Sequence, residues 1–134
     1  MSSQVSLIYD YVGSDGTNII KRWLDGLVPK AKAKLNSKLN ALEQINRTEW
    51  YWPLTEVLKG DKDGLVAVRV KSFENIQYRM LGYDGPSRGE FTLLACGTEH
   101  SDNYLPANIG QIAFGRRIEV QANPQTRRIR HDFR

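Results

Sequence analysis

The 134 residues, 40% hydrophobic and 25% charged, suffice for one domain with a real core, and no apolar stretch approaches the roughly 20 residues that span a bilayer. One cysteine and two histidines exclude an intrachain disulfide and a closed Cys/His zinc cluster. The net charge of +4 is uneven: residues 19–47 hold seven bases against two acids, residues 48–104 six against nine, and residues 126–134 four arginines against one aspartate.

The start, Met1-Ser2-Ser3-Gln4, lacks the basic and apolar runs of a secretory leader, so the expected location is cytoplasmic. In residues 5–12, Val5, Leu7, Tyr9 and Tyr11 alternate with Ser6, Ile8 and Asp10, which predicts a strand. Gly13-Ser14-Asp15-Gly16 is a turn, and Thr17 or Asn18 can cap a helix with Ile20, Trp23, Leu24 and Leu27 on one stripe. Pro29 opens a second helix, with Leu35, Leu39, Leu42 and Ile45 on its apolar side. Lys30, Lys34 and Lys38 recur every fourth residue and share another face. The cluster Trp50-Tyr51-Trp52 fits either an edge of the core or a base-stacking platform. Residues 60–64 are a turn.

Three further strands follow. Val66, Val68 and Val70 point one way and Arg69 and Lys71 the other; Ile76, Tyr78 and Met80 oppose Gln77, Arg79, Leu81 and Tyr83. Residues 84–89 form a turn, and 90–98 are apolar on both faces, as in a central strand. Cys96 lies in that run and reads as a buried structural thiol. A weaker helical stripe, Ile109, Ile112, Ala113 and Val120, ends at Asn123-Pro124. The order β-α-α-β-β-β-α is an α+β fold, a helical hairpin packed on one face of a small antiparallel-rich sheet. Residues 1–125 form the domain, and 126–134 a basic tail expected to be mobile without a partner.

The face opposite the valines would be left open and would carry Arg69, Lys71, Gln77 and Arg79. Three cations there repel one another unless an anion lies among them, and arginine forks suit phosphate. The same pattern fits cations spread over a wet sheet surface. No phosphate-cradling loop, nucleophile elbow or grouped acids for a two-metal site occur, so any cleavage of nucleic acid would proceed without metal or cofactor. His100, just past the third of these strands, is the acid–base candidate because histidine titrates near neutral pH; an exposed loop histidine fits as well. Glu99 can act as a base or orient it, and Tyr104 can stack on a nucleobase or pack on the surface.

Leu58-Lys59-Gly60, the run from Gly64 to Val70, Tyr78-Arg79-Met80-Leu81, the stretch Phe91 to His100 and Pro106 with the helix after it follow one another in an order that resembles RelE/HigB-type toxins, and Gly89 to Leu94 resembles their phage-derived branch. The resemblance covers residues 5 to 120. It implies a RelE-like fold and the toxin of a type II toxin–antitoxin pair: a metal-independent endoribonuclease (an mRNA interferase) that cleaves mRNA on the ribosome and inhibits translation. By the same resemblance, Arg79 would stabilise the phosphate in the transition state, with Arg69 and Lys71 binding or polarising it. His100 would be the general acid or base, and Glu99 a possible base. Tyr104 and Gln77 would hold the substrate, Lys30, Lys34 and Lys38 would grip ribosomal RNA, and a helix-turn-helix antitoxin would be the partner. Many relatives place two cations where this chain has Glu99-His100. Other readings on the same fold are a gyrase-directed relative and a non-catalytic RNA- or protein-binding module.

Overall fold

The computed structural model describes residues 4–51, 54–58, 64–72, 74–101 and 103–134. Trp52, Pro53 and most of the turn expected over 60–64 lie outside them. The elements run β1 (Leu7–Tyr11), α1 (Ile19–Asp25), α2 (Pro29–Gln44), a 3-10 turn (Arg47–Glu49), β2 (Thr55–Val57), β3 (Val66–Lys71), β4 (Gln77–Asp84), β5 (Glu90–His100), β6 (Asn103–Leu105), α3 (Ile109–Ala122) and β7 (Arg128–Arg130). The architecture is α+β, as expected, but the sheet is larger and mixed. Its order is β2-β3-β4-β5-β1-β7, with β6 on the C-terminal half of β5; β1 joins β5 in parallel and the other pairings are antiparallel.

Local chemistry explains the helices. Asn18, rather than Thr17, caps α1, its side-chain oxygen accepting from Lys21 N at 2.9 Å. Pro29 opens α2, where its missing N–H costs nothing. Leu35, Leu39 and Leu42 are sealed from water, each contributing on the order of 2 kcal/mol of apolar burial. Trp50 closes the core edge: its ring meets Phe91 edge-on at 5.0 Å and its Nε1–H donates to Leu42 O at 3.0 Å. Tyr51 is exposed.

The sheet has helices on both faces. Trp23 of α1 packs against Tyr78 at 5.9 Å, on the valine side. The opposite face, expected to be open, is covered over β4 and β5 by α3. Gly97 permits this approach, since a Cβ there would meet Leu105 O at 2.5 Å and Ile109 Cδ1 at 2.9 Å. Only the end of that face remains uncovered, and there the charged residues gather.

The C-terminal segment corrects the expectation of a mobile tail. Residues 128–130 pair with β1 as an outer strand. Arg127 meets Glu119 at 2.6 Å, Arg128 meets Glu90 at 3.0 Å, and Arg130 meets Glu43 at 2.5 Å. Arg128 and Arg130 also lie over the Tyr9 ring, at 4.0 and 5.6 Å. His131 is buried, with Nδ1 2.7 Å from Asp10 Oδ1 and Nε2 2.8 Å from Asn36 Oδ1. The acids that receive Arg127, Arg128 and Arg130 lie on other elements, so the basic run looked unpartnered; Arg134 alone pairs within the tail, with Asp132 at 3.1 Å. Asp10 is fully buried, its other oxygen accepting from Asn18 Nδ2 at 3.0 Å.

Cys96 is half-buried among Ile19, Trp23, Pro106 and Ile112, and burial pushes its thiol well above the ordinary range. A raised thiol pKa means little thiolate at neutral pH. Native protein is therefore expected to react with iodoacetamide at pH 8 at least about tenfold more slowly than urea-unfolded protein, as read by mass spectrometry.

Candidate functional site

Register builds the site from four strands. Arg69 lies opposite Arg79 and Lys71 opposite Gln77 across β3 and β4; Gln77 lies opposite Glu99 across β4 and β5; Glu99 lies opposite Tyr104 across β5 and β6. Alternation along each strand sends all of these side chains to one face. The residues singled out in the sheet region thus meet at its uncovered end, His100 excepted. His100 follows Glu99 directly, so alternation turns it to the other face; it is exposed, and its imidazole makes no hydrogen bond among the described residues.

The cations are not waiting around an empty centre. Arg79 Nη2 lies 2.5 Å from Glu99 Oε2, Arg79 Nη1 3.8 Å from Glu56 Oε2, and Arg69 Nη1 3.4 Å from the same Glu56 oxygen. With its amide oxygen turned toward Arg69, Gln77 accepts from Nε at 2.9 Å and Nη2 at 2.8 Å. The Arg79 guanidinium lies over the Tyr104 ring at 5.1 Å and is 7% exposed as a residue, and its Nε has no partner among the described residues. The expected repulsion among Arg69, Lys71 and Arg79 is therefore answered by two carboxylates of the chain itself. Burial raises the Tyr104 hydroxyl pKa, with Glu99 adding to the effect, so this phenol holds its proton and is a donor.

Sequence reasoning missed Glu56. It stands on a three-residue edge strand beside residues 52–53, in a stretch with no strand periodicity. Its only sequence signal was an acid two positions after Leu54, which has no specificity.

Beside this cluster runs an open groove of about 360 Å³, lined by Lys34, Lys38, Leu54, Arg69, Val70, Lys71 and Gln77. Lys34 Nζ donates to the Lys71 carbonyl. Lys34 and Lys38, two of the three lysines in the row, therefore join the sheet cations. Lys30 lines a neighbouring cavity with Ser72, Glu74 and Tyr78, and Lys34 borders both cavities. The row therefore runs from one cavity to the other along α2, with Lys30 at the far end from the sheet cations.

His131 and Asp10 form a second pair of acid–base type, but their side chains are 1% and 0% exposed, so they hold the fold and meet no substrate. No protein-family model, curated protein or solved structure matches this chain. None of the described helices is long and apolar enough to cross a membrane.

Proposed function

We propose that this protein is a metal-independent endoribonuclease that cleaves mRNA on the ribosome and inhibits translation, as the toxin of a toxin–antitoxin pair acting in the cytoplasm. The observation that carries the reading is the meeting of Arg69, Arg79, Gln77, Glu99 and Tyr104 at one end of the sheet, beside a groove edged by Lys34, Lys38 and Lys71. The chemistry needs a fork of donors for the phosphate, an acceptor for the 2′-hydroxyl proton and a donor for the leaving oxygen. Arg79, with Arg69 and Lys71, supplies the first. Glu99, its Oε2 held by Arg79, takes the proton on its other oxygen as the 2′-oxygen bonds to phosphorus. Tyr104 gives its proton to the departing 5′-oxygen as the P–O5′ bond breaks. The products are a 2′,3′-cyclic phosphate and a free 5′-hydroxyl. A small helix-turn-helix antitoxin that covers this face is the partner the reading requires.

A second reading, a non-catalytic RNA- or protein-binding module, is favoured by the burial of Arg79 between Glu99 and Tyr104. Purified protein incubated with mRNA in excess EDTA, with and without ribosomes, separates the two. Fragments ending in cyclic phosphate are the expected result. Binding that weakens with salt, and no cleavage in either arm, gives the site to the module.

A further inference from the structure

Four charges meet at the uncovered end of the sheet, and they cancel: Arg69 and Arg79 against Glu56 and Glu99. The two acids are held differently. Glu99 lies on the eleven-residue β5, 2.5 Å from Arg79, and its side chain is 16% exposed. Glu56 lies on the three-residue outer strand β2, 3.4 and 3.8 Å from the two guanidinium groups, and its side chain is 40% exposed. One is part of the wall and the other lies across the opening.

We propose that Glu56 is a specificity-determining residue: in the free protein it occupies the place of a phosphate and sets a threshold that only a ligand with consecutive phosphates clears. The inference rests on reading the site as one for RNA phosphates and adds which acid the RNA displaces. A phosphodiester carries one negative charge, as does the carboxylate it would replace. Glu56 is tethered and loses no translational freedom on binding, whereas a small anion does. A lone phosphodiester therefore exchanges like for like at a disadvantage. A strand gains at a second place, because the adjoining groove presents Lys38 and Lys71 and no carboxylate among its described lining residues. Arg69 and Lys71 stand two residues apart on β3, about 6.6 Å, a step that suits neighbouring phosphates of an extended strand. The ligand class is thus single-stranded nucleic acid with at least two successive phosphodiesters.

The test uses two probes that cannot be cleaved by 2′-hydroxyl attack: dimethyl phosphate, with one phosphodiester, and a deoxythymidine trinucleotide, with two. Binding is followed on the arginine Nε–Hε NMR signals. Glu56→Gln keeps the shape and removes the charge, and it is expected to tighten both probes about fivefold to tenfold. Glu49→Gln removes an exposed acid of the same sign elsewhere and should change neither by twofold. Lys38→Ala should weaken the trinucleotide and leave dimethyl phosphate unchanged. Should Glu56→Gln fold poorly, Glu56→Asp withdraws the carboxylate by one methylene and should still tighten dimethyl phosphate more than twofold. The proposal is overturned by no gain in either Glu56 variant, by an equal gain in Glu49→Gln, or by equal losses for both probes in Lys38→Ala. A gain in Glu56→Gln from a wild type that cleaves no RNA keeps this inference and removes the ribonuclease reading. Cleavage by the wild type without that gain does the reverse.

Discussion

A chain stopped at Thr126 is expected to lose cooperative folding, and His131→Ala in the full chain to lower Tm by about 10 °C. The truncation strips β7 from β1, which leaves the β1 edge open and removes the guanidinium partners of Glu119, Glu90 and Glu43. Glu43 is the most exposed to this loss, because it is buried and its Oε1 also accepts from Ile8 N at 2.8 Å. The point substitution is narrower. It removes the group 2.7 Å from a fully buried carboxyl and leaves Asp10 with Asn18 alone. Removing one member of a buried polar pair costs about 3 kcal/mol or more, a large share of the stability of a domain this size. Thermal unfolding followed by circular dichroism reads both variants. A truncated protein that melts like the full chain would show that residues 127–134 are dispensable, as their basic composition alone suggests.

Arg79→Ala is expected to lower RNA cleavage by about a hundredfold to a thousandfold and to abolish growth arrest on expression. The side chain carries the fork of donors assigned to the phosphate, now held by Glu99 and Glu56, and no other residue of β4 presents a second fork. Alanine also strands Glu99, whose side chain is 16% exposed and whose ion-pair partner is Arg79. Loss of activity and loss of stability are therefore to be separated. Arg79→Ala with Glu99→Gln removes the orphaned charge and should recover most of the melting temperature while restoring no cleavage. Growth arrest by Arg79→Ala equal to that of the wild type would mean that the site is wrongly placed.

Much of this molecule is written in local pattern. The alternation through Val66–Lys71 and Gln77–Asp84 gives both strands and their faces, and the leucine spacing after Pro29 gives α2. What was not legible depends on distant partners. β2, β6 and β7 are three residues each, too short for periodicity, and exist because β3, β5 and β1 offer an edge. In β1 the buried row contains Ile8 and Asp10 while Leu7 is exposed, the reverse of what hydropathy favours, because His131 arrives from 121 residues away to satisfy the aspartate. The site divides in the same way. Arg69, Lys71, Gln77 and Arg79 follow from strand alternation, and Glu99 and Tyr104 from the strand end. Glu56, the meeting of Lys34 and Lys38 with the sheet cations and the turning away of His100 need the sheet register and the packing of α2 near β3.

The place of β1 in the sheet orders events during synthesis. It is made before the other described strands, yet its neighbours are β5 and β7, from residues 90 and 128 onward. At about 5–20 residues per second, the ribosome needs several seconds to tens of seconds to reach residue 131 after β1 has emerged. Throughout that time β1 has no strand to lie against on one side, and Asp10 has no imidazole. The β3–β4–β5 meander, whose pairings are between neighbours in sequence, can assemble earlier, and with it the rows that carry Arg69 and Arg79. The charged end of the sheet is thus built before the molecule is sealed, so a nascent chain can display its cations while still open to proteases at its first strand.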